Sequence, residues 1–424
     1  MLKTEDFSMY SHILKEELVP ALGCTEPIAV ALAAAVAVKA LGAFPCSITA
    51  FCSGNIIKNV MGVTVPNCGG LKGVAAAAII GAVGGDCTLG LEVLKNVTED
   101  NISLAKRLVT DKLCKVRELD SDHNLHIILT VHHGDDSASA EIADRHTNII
   151  KVTKNGKALY ECGSGREPCE SLTSRTAMCM DGILEYANTT DLSDLCPMFK
   201  RQIEYNTAIA NEGLCGKYGA CVGKTLLSSY GSDVKIRARA MPAAGSDARM
   251  SGCVLPVITN SGSGNQGMTA SLPVIEYAKE YNIDDEHLYR ALIVSNLTAI
   301  HQKTRIGRLS AYCGAVSAAC GAGAGISYML GGDNAEICAT ITNTLGNVAG
   351  MICDGAKPSC AAKISSAVDA AILGYHLAKA HKGFCEGEGI IKDDIEKTIA
   401  AVGRLGHCGM RRTDTEIIAI MTGD

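Results

Sequence analysis

The hydrophobic pattern of the 424-residue chain is helical at both ends and strand-like in its middle. Near the start, Ile13, Leu14 and Leu18 recur at helical spacing, and Pro20 stops the predicted helix. From Asp284 to the end the pattern is again almost wholly helical, apart from glycine-rich turns. We therefore predict a protein body made mostly of α-helices.

Several of these predicted helices are rich in Gly and Ala, including residues 69–85 and the segment between Tyr312 and Cys360. Small side chains let helices approach closely, so we expect tight packing between them. The apolar runs at 27–38 and 74–83 are shorter than the ~20 residues that cross a bilayer, and we predict no membrane span.

Strand-like patterns mark the middle of the chain. Residues 125–132 form an apolar run, residues 138–143 alternate, and Asn155-Gly156 reads as a hairpin turn. We predict an α+β fold in which a Gly/Ala-rich helical body, formed by 1–112 and 163–424, carries a small antiparallel β-rich insertion at 113–162. Further strands are expected at 46–53, followed by a helix, and at 233–240.

Composition narrows the classes of function. The formal net charge is −6 with both signs interspersed, and no basic block is present to bind nucleic acid. The chain has 20 cysteines and no C-x-x-C pair, and no signal peptide is recognisable near its start. These features favour a cytoplasmic location in which most thiols are buried as small apolar groups. The histidines between 123 and 146 are predicted to be exposed polar residues rather than metal ligands.

The segment from Tyr312 to Cys360 carries the clearest candidate chemistry. Cys353 and Cys360 are separated by residues that cannot continue a regular helix, among them Pro358, so we predict a tight loop there. Cys313 begins a glycine-rich segment that allows close backbone approach. Three thiolates converging here could fill three corners of an iron–sulfur cube and leave the fourth iron open.

Five motifs resemble the L-cysteine desulfidase family, which is related to the alpha subunit of iron–sulfur L-serine dehydratases. They are A-L-G-C-T-E-P from Ala21, S-G-N-I-I-K-N-V-M-G-V from Ser53, N-S-G-S-G-N-Q-G from Asn260, I-G-R-L-S-A-Y-C-G-A-V from Ile306 and M-I-C-D-G-A-K-P-S-C from Met351. The resemblance implies a [4Fe-4S] lyase that acts on a small amino acid. It places Cys313, Cys353 and Cys360 as cluster ligands and Cys24 as the catalytic base.

The residues around Cys24 are consistent with this role. Cys24 precedes Thr25-Glu26-Pro27, which reads as a helix start with Thr25 as its N-cap. The dipole and free N–H groups of a helix N-terminus favour a thiolate, so we expect a lowered pKa for Cys24. The alternative is a buried packing cysteine.

Two polar loops are candidates for binding the substrate. Ser53, Asn55 and Lys58 lie where the predicted strand runs into a helix, a junction that can hold a small anion or can be a solvated turn. Residues 260–267 contain a G-x-G-x-x-G pattern, but no returning parallel strand follows, so a dinucleotide site is not favoured. We assign Ser261, Ser263 and Asn265 to the substrate carboxylate instead.

The resemblance implies a lyase that converts L-cysteine to pyruvate, sulfide and ammonia, with L-serine dehydration as the alternative. Lys303 and Arg305 could offset the charge of the cluster or the substrate. A non-catalytic, cysteine-rich metal-binding or redox-sensing protein is a more distant alternative, and the two polar loops argue against it. We also expect a homodimer, because Gly/Ala helices bury little area per residue.

Overall fold

The computed structural model describes residues 4–162 and 172–423, so residues 163–171 of the predicted helical body lie outside the described part. Helices dominate the described residues, and the prediction of a mostly helical α+β fold is confirmed. The α-helices are α1 (Thr4–Glu17), α2 (Thr25–Leu41), α3 (Gly54–Met61), α4 (Val74–Gly84), α5 (Glu99–Thr110), α6 (Met180–Thr189), α7 (Cys196–Cys215), α8 (Val222–Tyr230), α9 (Val234–Met250), α10 (Gly264–Glu280), α11 (Asp285–Ile306), α12 (Gly314–Met329), α13 (Asn334–Val348), α14 (Cys360–Lys379), α15 (Ile395–Arg404) and α16 (Arg411–Thr422).

The strands form two sheets. They are β1 (Pro20–Leu22), β2 (Ser47–Cys52), β3 (Cys114–Glu118), β4 (His126–His133), β5 (Asp136–Ala143), β6 (Ile149–Lys154), β7 (Lys157–Glu161) and β8 (Pro256–Ile258). The larger sheet has the order β3-β2-β4-β5-β6-β7, and β1 pairs with β8 in a second, two-stranded sheet.

The insertion predicted at 113–162 supplies five strands of the larger sheet, but the sheet is not wholly antiparallel. Its remaining strand, β2, comes from residues 47–52 and runs parallel to β3, with Ile48 opposite Cys114. The other neighbours are antiparallel, as predicted. One face of this sheet packs on α2, which is apolar on nearly all sides and therefore buried. The division into a body and an insertion remains a prediction.

A second core is formed by α1 and most of the helices from α6 onward, and in it α11 packs closely along α12. The approach depends on Gly321, because a side chain at this position would collide with the backbone oxygen of Ser295. This packing fixes the start of α12, and with it Cys313, against the C-terminal half of α11.

The strand predicted at 233–240 is wrong, because these residues open α9. Val234, Ile236, Ala238 and Ala240 alternate, but the i, i+4 positions also lie on one helical face. Asp233 caps the helix by accepting a hydrogen bond from the Ile236 backbone N–H at 3.0 Å. Burial then continues along α9 beyond residue 240, so tertiary packing favours the helix.

Candidate active site

A cavity of about 770 Å³, partly open to solvent, lies where the ends of several helices meet the connection between β5 and β6. Most of its lining comes from the turn before α2, the loop that opens α10, the end of α11 with the start of α12, and the loop that leads into α14. Asn59, His146 and Arg249 reach it from other parts of the chain. Seven predicted site residues meet here, namely Cys24, Ser261, Ser263, Asn265, Cys313, Cys353 and Cys360.

Cys313 and Cys353 are held side by side by a short backbone ladder. Tyr312 and Ile352 form an isolated antiparallel bridge. On one side of it the Cys313 N–H donates to the Met351 carbonyl at 3.1 Å, and on the other the Cys353 N–H donates to the Ala311 carbonyl at 2.6 Å. Because side chains alternate across a ladder, both cysteines project from the same face.

Cys360 completes the group from the loop predicted by its sequence. The loop makes a tight turn at Gly355, whose φ is +92°, and ends where Cys360 becomes the first residue of α14. The Cys360 thiol lies 3.7 Å from the Gly355 carbonyl. Cys360 packs beside the small cluster that contains Cys24, so the predicted base lies next to a predicted ligand.

The thiols of Cys313 and Cys360 are poor anions without a metal. Burial raises the pKa of Cys313 to about 12, and the neighbouring Cys353 adds to this shift. Burial also raises the pKa of Cys360. Iron would reverse this preference, because a bound metal stabilises the thiolate.

The donor set fits an iron–sulfur cluster better than a single ion. Among the described residues, no three His, Cys, Asp or Glu side chains are arranged to hold one metal ion. A [4Fe-4S] cluster has a different requirement, since each cysteine binds a different iron atom. Cys313, Cys353 and Cys360 on one cavity wall are therefore suited to hold such a cluster by three corners.

Lys303 is a buried cation of the same cavity. Its side chain lines the cavity from α11 and is 5% exposed. Burial lowers the pKa of Lys303 to about 8, while Cys353 and Cys313 act in the opposite direction. A buried ammonium in this position is suited to offset negative charge on the sulfur ligands.

Cys24 itself is the N-cap of α2, one residue earlier than the predicted cap at Thr25. The Cys24 thiol donates to Glu26 Oε2 at 3.0 Å, and the Asn59 amide donates to Glu26 Oε1 at 3.0 Å. His146 Nε2 lies 3.9 Å from Glu26 Oε1, an ion-pair distance rather than a hydrogen bond.

The expected low pKa of Cys24 is wrong. Burial raises the pKa of Cys24 well above its ordinary value, and the Glu26 carboxylate adds to the shift. For Glu26 itself, burial alone would raise the pKa, but His146 and the Cys24 thiol lower it to about 2. The pair therefore rests as a neutral thiol beside an ionised carboxylate, because burial and Glu26 outweigh the helix N-terminus.

The loop that opens α10 is joined to this pair. The Thr25 hydroxyl donates to the Gly262 carbonyl at 2.9 Å. Arg249 bridges the same two segments, since its Nε donates to the Gly23 carbonyl at 2.9 Å and its Nη1 donates to Asn265 Oδ1 at 3.1 Å. The antiparallel pairing of β1 with β8 supports this arrangement.

Ser53, Asn55 and Lys58 lie outside the cavity lining. The Ser53 hydroxyl donates to the Asn124 carbonyl at 2.9 Å, and Asn55 Nδ2 donates to Asp414 at 2.7 Å. The buried Lys58 ammonium pairs with Asp414 as well. These contacts attach α16 to α3, so the predicted direct role of the three residues in binding substrate gains no support from their positions.

The sequence analysis missed several polar residues of the cavity, among them Glu26, His146, Arg249 and Gln266. The prediction that His146 is exposed is wrong, because this residue is buried, with 5% of its surface exposed. Two of these four residues had a local signal, since Glu26 stands two positions after Cys24 and Gln266 lies in the motif at 260–267. His146 and Arg249 come from distant parts of the chain, where no pattern marks them.

Comparison with known proteins identifies the family. The family model described as serine dehydratase alpha chain matches residues 88–419. A UPF0597 protein of Lachnoclostridium phytofermentans is 55% identical over 410 residues, which cover 96% of this chain and 98% of that protein. A UPF0597 protein of Desulfitobacterium hafniense is 52% identical over 415 residues, covering 98% and 96%. Within residues 4–162 and 172–423, no helix combines the length and apolarity needed to cross a membrane. The chain thus belongs to the serine dehydratase alpha chain family, a family of lyases.

Proposed function

We propose that the protein is an iron–sulfur lyase that eliminates the β-substituent of L-cysteine and yields pyruvate, sulfide and ammonia. The observation that carries this proposal is the single cavity in which the Cys24–Glu26 pair faces Cys313, Cys353 and Cys360. The resemblance of the motifs around Cys24 and Cys353 to cysteine desulfidases favours L-cysteine. The family match favours L-serine as the second candidate substrate.

Cys313, Cys353 and Cys360 would hold the [4Fe-4S] cluster. When bound, the cluster supplies a Lewis acid that polarises the leaving group of the substrate. Lys303 then offsets charge at this wall of the cavity.

Cys24 and Glu26 are proposed to act together as the general base. The Cys24 sulfur accepts the α-proton of the substrate while the proton of the thiol moves to Glu26 Oε2, 3.0 Å away. This relay removes the α-proton without placing two negative charges side by side. The Asn59 amide holds Glu26 in position.

Loss of the α-proton and cleavage of the Cβ–S bond give 2-aminoacrylate and sulfide. Tautomerisation to an imine and hydrolysis then release ammonia and pyruvate. The loop residues Ser261, Ser263 and Asn265 stay assigned to the carboxylate side of the substrate, since they line the cavity beside Cys24.

An anaerobic assay tests the proposal. The protein, purified without air and assayed for iron, is given L-cysteine or L-serine at equal concentrations. Sulfide and pyruvate from L-cysteine in equal amounts support the proposal, whereas pyruvate from L-serine alone favours the dehydratase. A protein that contains the cluster and converts neither amino acid would contradict both. The proposed homodimer and the cytoplasmic location can be tested by light scattering and by cell fractionation.

A further inference from the structure

Arg249 is a buried cation that lacks a counter-anion. Its side chain lines the cavity and the residue is 2% exposed. Within the described part of the chain, Arg249 has no ion-pair partner and its Nη2 has no hydrogen-bond partner. Burying an unpaired guanidinium is costly, so this position is suited to an anion that arrives from outside the chain.

The orientation of Arg249 is fixed by its other nitrogens. Nε donates to the Gly23 carbonyl and Nη1 donates to Asn265, so Nη2 is the nitrogen that keeps both of its N–H groups for a ligand. Space for the guanidinium depends on Gly264, where a Cβ atom would lie 2.6 Å from Arg249 Nε. A second polar group of the cavity is also unpaired: Gln266 is 7% exposed and its Oε1, which can only accept a hydrogen bond, has no partner, so it suits a donor such as the ammonium group of the same ligand.

The other cations of the cavity are engaged differently. Arg308 pairs with Glu17 and Lys363 pairs with Asp354, while Lys303 faces the cysteine wall. Arg249 alone is attached to the residue that precedes Cys24. An anion bound to its Nη2 would therefore lie beside the proposed base.

We propose that Arg249 is the receptor for the substrate carboxylate and restricts the site to α-amino acids. In an α-amino acid the carboxylate is bonded to the carbon that carries the proton to be removed. Binding it at Arg249 places that carbon next to Cys24, which explains why the guanidinium is anchored to both the Cys24 turn and the Asn265 loop. This inference rests on the proposed function and adds that the substrate must carry a carboxylate on its α-carbon.

The test compares ligands with and without a carboxylate. KM is measured for L-cysteine, and the inhibition constant for cysteamine, which has the same thiol and amine but no carboxylate. Arg249→Gln should raise KM for L-cysteine about 10- to 100-fold, the usual contribution of a charge-assisted hydrogen bond, and leave inhibition by cysteamine unchanged. Arg249→Lys, which keeps the charge, should recover part of the loss.

Arg239→Gln is the matched control, because Arg239 lies on the same helix and pairs with Asp369 outside the cavity. It should change neither constant. If Arg249→Gln weakens the binding of L-cysteine and of cysteamine equally, or leaves KM unchanged, Arg249 does not bind the substrate carboxylate. The proposed lyase reaction would still stand. If the wild-type protein converts no amino acid, the proposed function itself fails.

Discussion

Glu26→Gln is the substitution that tests the proton relay most directly. It keeps the size of the side chain but replaces the carboxylate that accepts the Cys24 thiol hydrogen bond. Glu26 is buried, and its pKa of about 2 means that it is ionised under all assay conditions. The glutamine can keep one acceptor oxygen but cannot take a proton.

The distance between the two groups sets the size of the effect. At 3.0 Å and an effective dielectric constant of about 20, a thiolate beside a carboxylate costs about 5 kcal/mol. Cys24 can therefore accept the α-proton readily only if its own proton moves to Glu26. Loss of the relay should lower kcat by about 10²- to 10⁴-fold, the usual contribution of a general base.

The assay measures the proton-transfer step and also checks that the variant is folded and holds its iron. Exchange of the α-proton of L-cysteine with deuterated solvent reports the base step, while iron content and the melting temperature report the cluster and the fold. Glu276→Gln is the control, since Glu276 is a carboxylate on α10 that is 4% exposed and pairs with Arg237. A Glu26→Gln protein that keeps full activity with a lower pH optimum would refute the relay, because Glu26 would then only suppress the Cys24 thiolate.

Three further predictions concern the ligands, a buried carboxylate and a buried ion pair. Ser at Cys313 or at either other proposed ligand should remove iron and activity together, whereas Cys46→Ser should keep both; equal iron in all variants would contradict the ligand assignment. Burial raises the pKa of Asp247 from its ordinary 3.8 to about 6. The proton bound to Asp247 therefore stabilises the folded protein fully below pH 3.8, and this stabilisation is lost as the pH rises through 6. Relative to wild type, Asp247→Asn should therefore gain up to about 3 kcal/mol in the free energy of unfolding between pH 4 and pH 8, measured in urea. Asp414→Asn leaves the Lys58 ammonium, which is 2% exposed, without its carboxylate. This substitution should lower the free energy of unfolding by about 3–5 kcal/mol and leave KM unchanged. A higher KM without loss of stability would instead support a role of Lys58 in binding the substrate.

Local sequence patterns were sufficient to predict the structure where a residue and its partners lie close in sequence. The hairpin at Asn155-Gly156, the helix after β2 and the loop between Cys353 and Cys360 follow from neighbouring residues, and the structure confirms each. Residues 233–240 are the contrasting case. Their alternation satisfies both a strand and one face of a helix, and packing beyond residue 240 decided between them.

The sequence by itself determined the mostly helical α+β fold and, through its motifs, the family and the cysteines that line the cavity. Only the tertiary structure decided the charge state of Cys24 and the positions of His146 and Arg249. The physical reason is that burial and electrostatic contacts depend on distances in space. Glu26, His146 and Arg249 are separated by more than a hundred residues from one to the next, yet all line one cavity. No periodicity in the chain records that meeting. Burial and Glu26 keep Cys24 a neutral thiol, against the opposing charge of Arg249, and Arg249 itself is left without an anion.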